Sequence, residues 1–376
     1  MISLREHVGL LRGLLTGETA CVGPFFVSID LTRRCNLTCL HCRYHSCLSE
    51  YPTPVAAPLE NMDYAVLSGL LAQLRACGTR DLIFAGEGEP LLYPHFREAV
   101  AAAKAAGLHV NVITNGTLLT DDLIEYLIDQ RLDILTVSLW ASSPEEYARL
   151  YPGTRRDVFG RVLEGLRRVT AVKARKGSRF PRLRLHRPIG PDNYRGLEAA
   201  LAQAREAGCD QFTVAPVHSL KAGTTAHRLL PDQETWVCDT LHRMKATLRR
   251  ASMEHNFGMS FDLYRLGEHV WETTACYVGW VHSRVRVDGT VFTCGRCDIP
   301  VGNLAERPFR EIWNDAPYRA FRRAVSTQEG LAGMTDHCRC CYCCHLRNSL
   351  TIHRVFRWMA PVAAGLRRAG LIRPHE

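Results

Sequence analysis

The chain has 376 residues and a formal net charge of +9 at pH 7, so its length allows one large domain and a smaller one. Hydrophobic residues make up 46% and charged residues 23%, which is typical of globular proteins. We expect no stable membrane insertion, because no run of about 18 apolar residues occurs. Charges at Arg5 and Glu6 favour an amphipathic N-terminal helix over a signal peptide. A cytoplasmic protein is therefore expected.

The basic excess, 47 Lys and Arg against 38 Asp and Glu, is spread along the chain. Its densest patches lie near 155–187 and after residue 345. Such a distribution favours a solvated surface with a few cations that face an anionic ligand. We therefore expect no nucleic-acid partner.

The chain contains 16 cysteines. Without a secretion signal they indicate metal binding and not a disulfide scaffold, because the cytosol keeps thiols reduced. They form three groups: Cys35 to Cys47; Cys276, Cys294 and Cys297; and Cys338 to Cys344. The isolated cysteines are interpreted as small core residues, and they are Cys77, Cys209 and Cys238.

The region from about residue 25 to 216 alternates β-rich runs with helical patterns. This alternation predicts an α/β fold with a parallel sheet, either doubly wound or a partial barrel. The six predicted strands are 25–31, 80–86, 108–114, 133–139, 182–186 and 211–216. The predicted helices between them are 62–76, 94–106, 121–129, 157–174 and 194–207, the third capped by Thr120.

Unusual residues follow four consecutive strands. The first cysteine run follows strand one, GEGEP follows strand two, TNGT follows strand three, and SLW ends strand four. Both candidate architectures bind ligands at the carboxyl ends of their strands. The sequence therefore predicts one mouth at which these four segments meet.

The pattern changes after residue 231. A linking helix is predicted at 233–256, followed by a hairpin in SRVRVDGTVFTC, where Asp288-Gly289 predicts a type I′ turn. The predicted domains are an N-terminal helix at 1–24, a barrel at 25–232, the linking helix, a cysteine-rich domain at 257–346 and a basic C-terminal helix at 347–376.

Cys35, Cys39 and Cys42 have the spacing C-x3-C-x2-C. Three thiolates from one loop suit a [4Fe–4S] cluster whose fourth iron stays open for another ligand. A structural zinc site would need four ligands, and His41, His45 or Cys47 could complete one. Counting residues leaves both alternatives open.

These motifs in this order resemble the radical S-adenosylmethionine superfamily. The matching segments are CNLTCLHC at 35–42, FAGEGEP at 84–90, ITNGTLL at 113–119 and VSLW at 137–140. The resemblance implies a partial (β/α)6 TIM-like barrel with the cluster near its mouth. It also implies that S-adenosyl-L-methionine chelates the open iron and is cleaved to a 5′-deoxyadenosyl radical.

Carried over residue by residue, the resemblance implies that Cys35, Cys39 and Cys42 bind the cluster, while Cys47 stays off it. His41 stands where the family often has an aromatic residue that packs the adenine. The implied cofactor-binding residues are His41, Gly86, Glu87, Gly88, Glu89, Pro90, Thr114, Asn115 and Ser138.

Cys276, Gly289 and Cys294 resemble the opening of the auxiliary-cluster module called SPASM, or its shorter relative called twitch. The resemblance implies at least one auxiliary [4Fe–4S] cluster, more readily one than two, held by Cys276, Cys294, Cys338 and Cys341, with Cys344 as substitute. Spacing does not decide among the cysteines of CRCCYCC, which include Cys340 and Cys343. A zinc knuckle is the alternative.

The resemblance implies an oxidoreductase that abstracts hydrogen from a small polar substrate, namely a sugar, aminocyclitol or nucleoside intermediate, and oxidises a secondary alcohol to a ketone. An epimerase and a peptide-modifying maturase are alternatives from the same superfamily. A zinc-binding or nucleic-acid-binding module is the non-enzymatic alternative. Flavodoxin or ferredoxin is the expected electron donor, and the sequence assigns no catalytic acid, base or hydrogen donor.

Overall fold

The computed structural model describes residues 4–46, 59–217, 228–295, 299–334, 343 and 345–356, together with 358, 365 and 369. Ten strands in this part of the chain form one sheet in the order β10-β9-β8-β1-β2-β3-β4-β5-β6-β7. The strands are β1 (Phe26–Ile29), β2 (Asp81–Phe84), β3 (His109–Thr114), β4 (Ile134–Ser138), β5 (Arg182–Ile189), β6 (Gln211–Pro216), β7 (Glu254–His255), β8 (His282–Val285), β9 (Thr290–Phe292) and β10 (Pro300–Asn303).

The first six strands confirm the six predicted ones. Each pairs in parallel with the next along the chain, from β1 to β6. A doubly wound sheet reverses its strand order at a switch point, whereas this order runs on without reversal. The sequential order decides between the two predicted architectures in favour of a partial (β/α)6 barrel.

The crossover helices confirm the predicted alternation of strands and helices. Thr120 caps α4 as expected, since its side chain accepts a hydrogen bond from the Leu123 amide. α5 was not predicted; Ser143 caps it, and Pro144 occupies its first turn. The helices up to β6 are α1 (Leu4–Thr16), α2 (Tyr64–Ala76), α3 (Phe96–Ala105), α4 (Asp121–Asp129), α5 (Pro144–Leu150), α6 (Asp157–Arg175) and α7 (Leu197–Glu206).

The two faces of the parallel sheet differ in polarity. Residues such as Val27, Leu82, Val112 and Leu135 are fully buried and form the core against the crossover helices. The register places Ser138 beside His186 and Thr136 beside Arg184 on the opposite face. A polar inner face of this kind marks the lumen of the barrel, where ligands are bound.

The predicted hairpin is confirmed, but its predicted type I′ turn is wrong. The Gly289 amide bonds the Arg286 carbonyl at 2.9 Å. Gly289 has φ +78°, while Asp288 is absent from the positive-φ residues of the described chain. A type I′ turn needs positive φ at both central residues, so the loop is a three-residue connection that ends in a left-handed glycine.

The hairpin is continuous with the barrel, because β8 pairs in parallel with β1. A buried ion pair reinforces this junction: Arg284 donates from Nε and Nη2 to Asp30 Oδ2 at 3.0 and 2.5 Å. Burial raises the pKa of Asp30 to about 6, and the Arg284 cation opposes that shift. The region after β7 therefore extends the barrel sheet.

The remaining helices surround the hairpin and the outer strands. They are α8 (Pro231–Arg250), α9 (Phe257–Leu266), α10 (Val278–Val281), α11 (Phe309–Ile312), α12 (Ala316–Val325), α13 (Gln328–Ala332) and α14 (Leu346–Phe356). α14 overlaps the start of the basic C-terminal helix predicted at 347–376. None of the helices in the described ranges is long and apolar enough to cross a bilayer.

Candidate active site and auxiliary metal region

The loop that carries Cys35, Cys39 and Cys42 follows β1 and is fixed at three points. Asn36 Nδ2 donates to Thr117 Oγ1 at 2.8 Å. The Leu40 amide donates to the Leu150 carbonyl at 2.8 Å, and Thr38 Oγ1 donates to the Pro152 carbonyl at 2.8 Å. These bonds hold the loop against the segments after β3 and α5, so its three half-buried cysteines lie at the barrel mouth.

The surroundings of the three thiols fit an iron–sulfur cluster. Cys42 Sγ accepts the amide hydrogens of Tyr44 and His45 at 3.4 and 3.3 Å, contacts that also stabilise cluster thiolates. Burial raises the pKa of Cys35 to about 11. Burial is also the largest cause that raises the pKa of Cys39, and the charges of the nearby Cys42 and Cys35 raise it further. A metal would compensate this cost, since it stabilises thiolates directly.

Glycine is required at two positions of the GEGEP segment. Gly86 has φ +128°, and a Cβ there would lie 1.7 Å from Asp30 Oδ1. A Cβ on Gly88 would lie 2.3 Å from the Arg34 carbonyl oxygen. The GEGEP segment thus lies so close to residues 30–34, which lead into the cysteine loop, that a side chain at Gly86 or Gly88 would not fit.

Glu87 is buried and forms two ion pairs. Its Oε2 lies 2.8 Å from Arg33 Nε, and its Oε1 lies 2.6 Å from Arg286 Nε. The Glu87 carbonyl accepts a hydrogen bond from His45 Nε2 at 2.7 Å. The Glu87 carboxylate therefore joins the cysteine loop to the hairpin turn.

Glu89 connects the ends of β2 and β3. Thr114 Oγ1 donates to its Oε1 at 2.6 Å, and the Asn115 amide donates to its Oε2 at 2.7 Å. Burial raises the pKa of Glu89, and these hydrogen bonds oppose that rise. Asn115 Nδ2 in turn donates to Asn36 Oδ1 at 2.8 Å. The cysteine loop and the ends of β2 and β3 thus meet, as predicted.

His41 and Ser138 lie on the other side of the mouth. The buried His41 ring stacks on Trp140 with 5.7 Å between centroids and 10° between planes. Its Nε2 lies 2.9 Å from Asp192 Oδ2. Trp140 Nε1 donates to Ser138 Oγ at 3.3 Å. The planar surface predicted for adenine is present, and its contact with a nucleoside stays a prediction.

The auxiliary region contains three buried cysteines among its described residues, Cys276, Cys294 and Cys343. Burial suits both a metal centre and core packing, so it does not by itself assign these thiols to a cluster. Cys297, Cys338, Cys341 and Cys344, like Cys47, lie outside the described residues. The predicted ligand set of the auxiliary cluster therefore stays a prediction.

Sequence reasoning missed two histidines in this region. His282, Cys294 and His345 are buried, and their ligand-type atoms lie within 4.8 Å of one another. Cys276, the predicted partner of Cys294, is not in this group. The hairpin register could have identified His282, because it places position 282 opposite position 294, whereas His345 carries no local signal.

Two protein-family models match the chain. The Radical SAM superfamily model matches residues 29–179, from the last residue of β1 to just past α6, and the match includes the cysteine loop. The SPASM model, an iron–sulfur cluster-binding domain, matches residues 276–349. The chain is a radical S-adenosylmethionine enzyme with a SPASM domain. Its cofactors are S-adenosylmethionine, a [4Fe–4S] cluster and auxiliary iron–sulfur binding in the SPASM domain.

Two relatives align with most of this chain. The AdoMet-dependent heme synthase of Methanosarcina barkeri is 27% identical over 342 residues, 86% of this chain and 92% of the relative. The PqqA peptide cyclase of Gluconobacter oxydans is 26% identical over 327 residues, 85% of this chain and 82% of the relative.

Solved structures share the fold. Streptococcus suis SuiB bound to its precursor peptide SuiA has a TM-score of 0.64 at 16% identity, over 85% of this chain and 70% of that one. Native anSMEcpe with bound AdoMet has a TM-score of 0.62 at 15% identity, over 92% and 99%. At this level of identity the likeness concerns the fold of the SPASM enzyme and not its substrate.

Proposed function

We propose that this radical S-adenosylmethionine enzyme removes hydrogen from a small anionic substrate that binds in the barrel lumen, and that it oxidises this substrate. The arrangement of Thr136, Arg184 and Gln211, which the register places side by side across β4, β5 and β6, carries the proposal. Arg184 Nε donates to Gln211 Oε1 at 2.6 Å, which fixes the guanidinium in the lumen.

The Arg184 cation is suited to bind an anionic group of the substrate. Burial lowers its pKa, and the neighbouring Arg182 adds to this effect, whereas the carboxylate of Glu254, which accepts a hydrogen bond from Gln211, opposes it. A carboxylate or phosphate bound there would offset the cost of burying the cation. His186 lies two residues after Arg184 on the same face of β5, nearer the mouth. Its Nδ1 lies 3.0 Å from Thr213 Oγ1, and the register places Ser138 beside His186. These polar groups supply further contacts for substrate hydroxyls.

The mouth residues prepare the cofactor site. We propose that Cys35, Cys39 and Cys42 hold the cluster, and that Gly86 to Pro90, Thr114, Asn115, Ser138 and His41 surround S-adenosylmethionine. When bound, the cluster and S-adenosylmethionine supply a 5′-deoxyadenosyl radical, and the auxiliary centre is available for electron transfer. The protein's part is to position the substrate C–H bond and to exclude water from the lumen.

Within this proposal the narrower expectation is oxidation of a secondary alcohol to a ketone on a sugar, aminocyclitol or nucleoside intermediate. Epimerisation of the same carbon is the alternative outcome. We also propose a cytoplasmic location, and flavodoxin or ferredoxin as the donor that reduces the cluster. The proposed domain boundaries are at residues 24, 232, 256 and 346.

The test is 5′-deoxyadenosine formation by anaerobically purified enzyme with a reductant and fractionated cell extract. We expect an anionic extract fraction to stimulate the reaction both before and after protease digestion. Arg184→Met is expected to remove the stimulation, whereas Arg167→Met, on the exposed side of α6, keeps it. A product two hydrogens lighter than the substrate indicates oxidation, and an unchanged mass indicates epimerisation.

A peptide substrate is the second candidate. The PqqA peptide cyclase relative favours it, since it aligns with 85% of this chain. In that case protease digestion of the extract abolishes the stimulation. Such a result would overturn the small-molecule proposal and identify the chain as a peptide-modifying maturase.

A further inference from the structure

Four charged side chains form one network at the barrel mouth. Glu87 pairs with Arg33 and with Arg286, and Arg33 Nη2 also lies 3.1 Å from Asp288 Oδ2. The charges alternate in sign from Arg286 through Glu87 and Arg33 to Asp288. The Glu87 side chain is 4% exposed, and a carboxylate so deeply buried needs facing cations to offset the cost of its lost hydration.

The network connects the ends of three adjacent strands. Arg286 directly follows β8, Arg33 follows β1, and Glu87 follows β2. These strands are neighbours in the order β8-β1-β2, and both pairs are parallel, so their carboxyl ends lie at the same edge. The Glu87 side chain therefore reaches past the chain that leaves β1 and contacts the hairpin, which lies within the SPASM match.

The hairpin turn holds its two charged residues in place. The Arg286 amide donates to the Thr290 carbonyl at 2.9 Å, and the Arg286 carbonyl accepts the Gly289 amide at 2.9 Å. Asp288 Oδ1 accepts the Thr290 amide at 3.0 Å, and the Asp288 carbonyl accepts Asn303 Nδ2 at 3.1 Å. Because the turn is fixed by its own hydrogen bonds, little conformational entropy is lost when its side chains pair with Glu87 and Arg33.

The GEGEP segment is anchored by its two glutamates. Its glycines contribute no side chain, and a glycine backbone has many accessible conformations unless contacts restrict it. Glu89 anchors the segment to the end of β3, whereas Glu87 anchors it to the hairpin on the other side. Loss of the Glu87 contacts would therefore leave the segment held on one side only.

His45 connects the GEGEP segment to the cysteine loop. Its Nε2 donates to the Glu87 carbonyl at 2.7 Å, and its amide donates to Cys42 Sγ at 3.3 Å. One residue thus contacts both the backbone proposed to bind S-adenosylmethionine and a thiol proposed to hold the cluster. A displacement of Glu87 would therefore change both sides of the cofactor site.

We propose that Arg286 and Asp288 are positioning residues for S-adenosylmethionine. Through Glu87 and Arg33, the hairpin of the SPASM domain holds the GEGEP segment in the geometry that binds the cofactor. The inference rests on the cofactor site proposed above at the mouth, but not on the identity of the substrate. It extends the cofactor site to residues of the second domain that act on the cofactor only through other side chains.

The experiment measures S-adenosylmethionine binding by equilibrium dialysis, together with iron content, for the anaerobically purified full chain. Arg286→Met keeps an apolar stem and removes the cation, so we expect Kd to rise about tenfold at unchanged iron content. In 5′-deoxyadenosine formation without substrate, KM for S-adenosylmethionine should rise by the same factor, while kcat changes by less than about twofold. Arg286→Lys restores a cation and should recover most of the affinity.

The matched control is Arg265→Met, which removes an exposed arginine that pairs with Asp262 on α9. This variant should keep the wild-type Kd. Asp288→Asn covers the case in which Arg286→Met fails to fold, because the Asp288 side chain is 38% exposed and pairs only with the outer side of the network. We expect it to weaken binding by about threefold.

Wild-type affinity in Arg286→Met and Asp288→Asn would overturn the proposal and leave the cofactor site standing. Weak binding that Arg286→Lys does not recover would also overturn it, since the loss would then come from packing and not from charge. So would a loss of iron in proportion to the lost affinity, because the network would then retain the cluster. If the wild-type chain with its iron complete binds no S-adenosylmethionine, the proposed cofactor site fails, and this inference fails with it.

Discussion

The two regions proposed to bind metal draw their candidate ligands from the chain in opposite ways. At the barrel mouth, Cys35, Cys39 and Cys42 come from one loop of eight residues. In the hairpin region, His282, Cys294 and His345 come from a strand start, the residues after another strand, and the segment before a helix. The first site depends on local spacing, whereas the second depends on strand register and helix docking.

This difference has consequences for how each site responds to mutation. The candidate ligands at the mouth lie on a loop that hydrogen bonds hold to the segment after β3 and to the end of α5, so we expect removal of one thiol to leave the barrel intact. The buried donors of the hairpin region come from elements that are distant along the chain. Changes there are therefore expected to affect the docking of α14.

The largest effect is expected from removal of a mouth thiol. Cys35→Ala should lose about four irons per chain, and 5′-deoxyadenosine formation should fall at least about hundredfold, because an iron loses its ligand. Cys47→Ala, in the same cysteine run, is the matched control and should keep both. Equal iron loss in the two variants would mean that the mouth has four protein ligands and would break the comparison.

The second effect concerns the ion pair that joins the two regions. Asp30→Asn leaves the Arg284 cation buried without its partner carboxylate, so we expect the free energy of unfolding to fall by about 3–5 kcal/mol. Arg97→Met removes one member of an exposed pair with Asp122 and should cost less than about 1 kcal/mol. Urea titration under anaerobic conditions measures both, and similar losses would show that the junction adds little.

Most of the barrel could be predicted from sequence because its signals are local. Short β-rich runs between helical patterns predicted the six strands, and the motifs at their carboxyl ends predicted one mouth, since parallel strands end at the same edge. Glu89 illustrates the limit, because only the family resemblance implies that it lies near S-adenosylmethionine. The structure adds that its carboxylate accepts hydrogen bonds from Thr114 and Asn115.

The hairpin region could be predicted only in part. Asp288-Gly289 correctly indicated a turn, but the turn type depends on the φ of Asp288, which flanking contacts decide. Cys276 and Cys294 were paired by their spacing along the chain, whereas the ladder sets His282 opposite Cys294. The His345 position depends on tertiary docking, which no window of sequence encodes.

The third effect tests the close approach at the mouth. Gly88→Ala would place a Cβ 2.3 Å from the Arg34 carbonyl oxygen and 2.6 Å from that of Thr32, and backbone cannot yield as a flexible side chain does. We expect a loss of about 1–3 kcal/mol in the free energy of unfolding and weaker S-adenosylmethionine binding in equilibrium dialysis.

Gly69→Ala in α2 is the control, because a Cβ at that position would meet open space. This substitution should stabilise the protein by about 0.5–1 kcal/mol. If both variants have the stability of the wild type, the mouth is less tightly packed than its geometry indicates.

The smallest effect concerns one histidine on the inner face of the sheet. Burial, with help from the Arg184 cation, lowers the pKa of His186 from 6.5 to about 4. Between these values the unfolded chain binds a proton that the folded chain does not, so stability falls as the pH falls. From pH 7 to pH 5.5 this contribution is about 1 kcal/mol, and His186→Gln should remove it from the urea midpoint. If His186→Gln keeps the full pH slope, other groups titrate in this window, and the lumen histidine is better solvated than its place in the sheet implies.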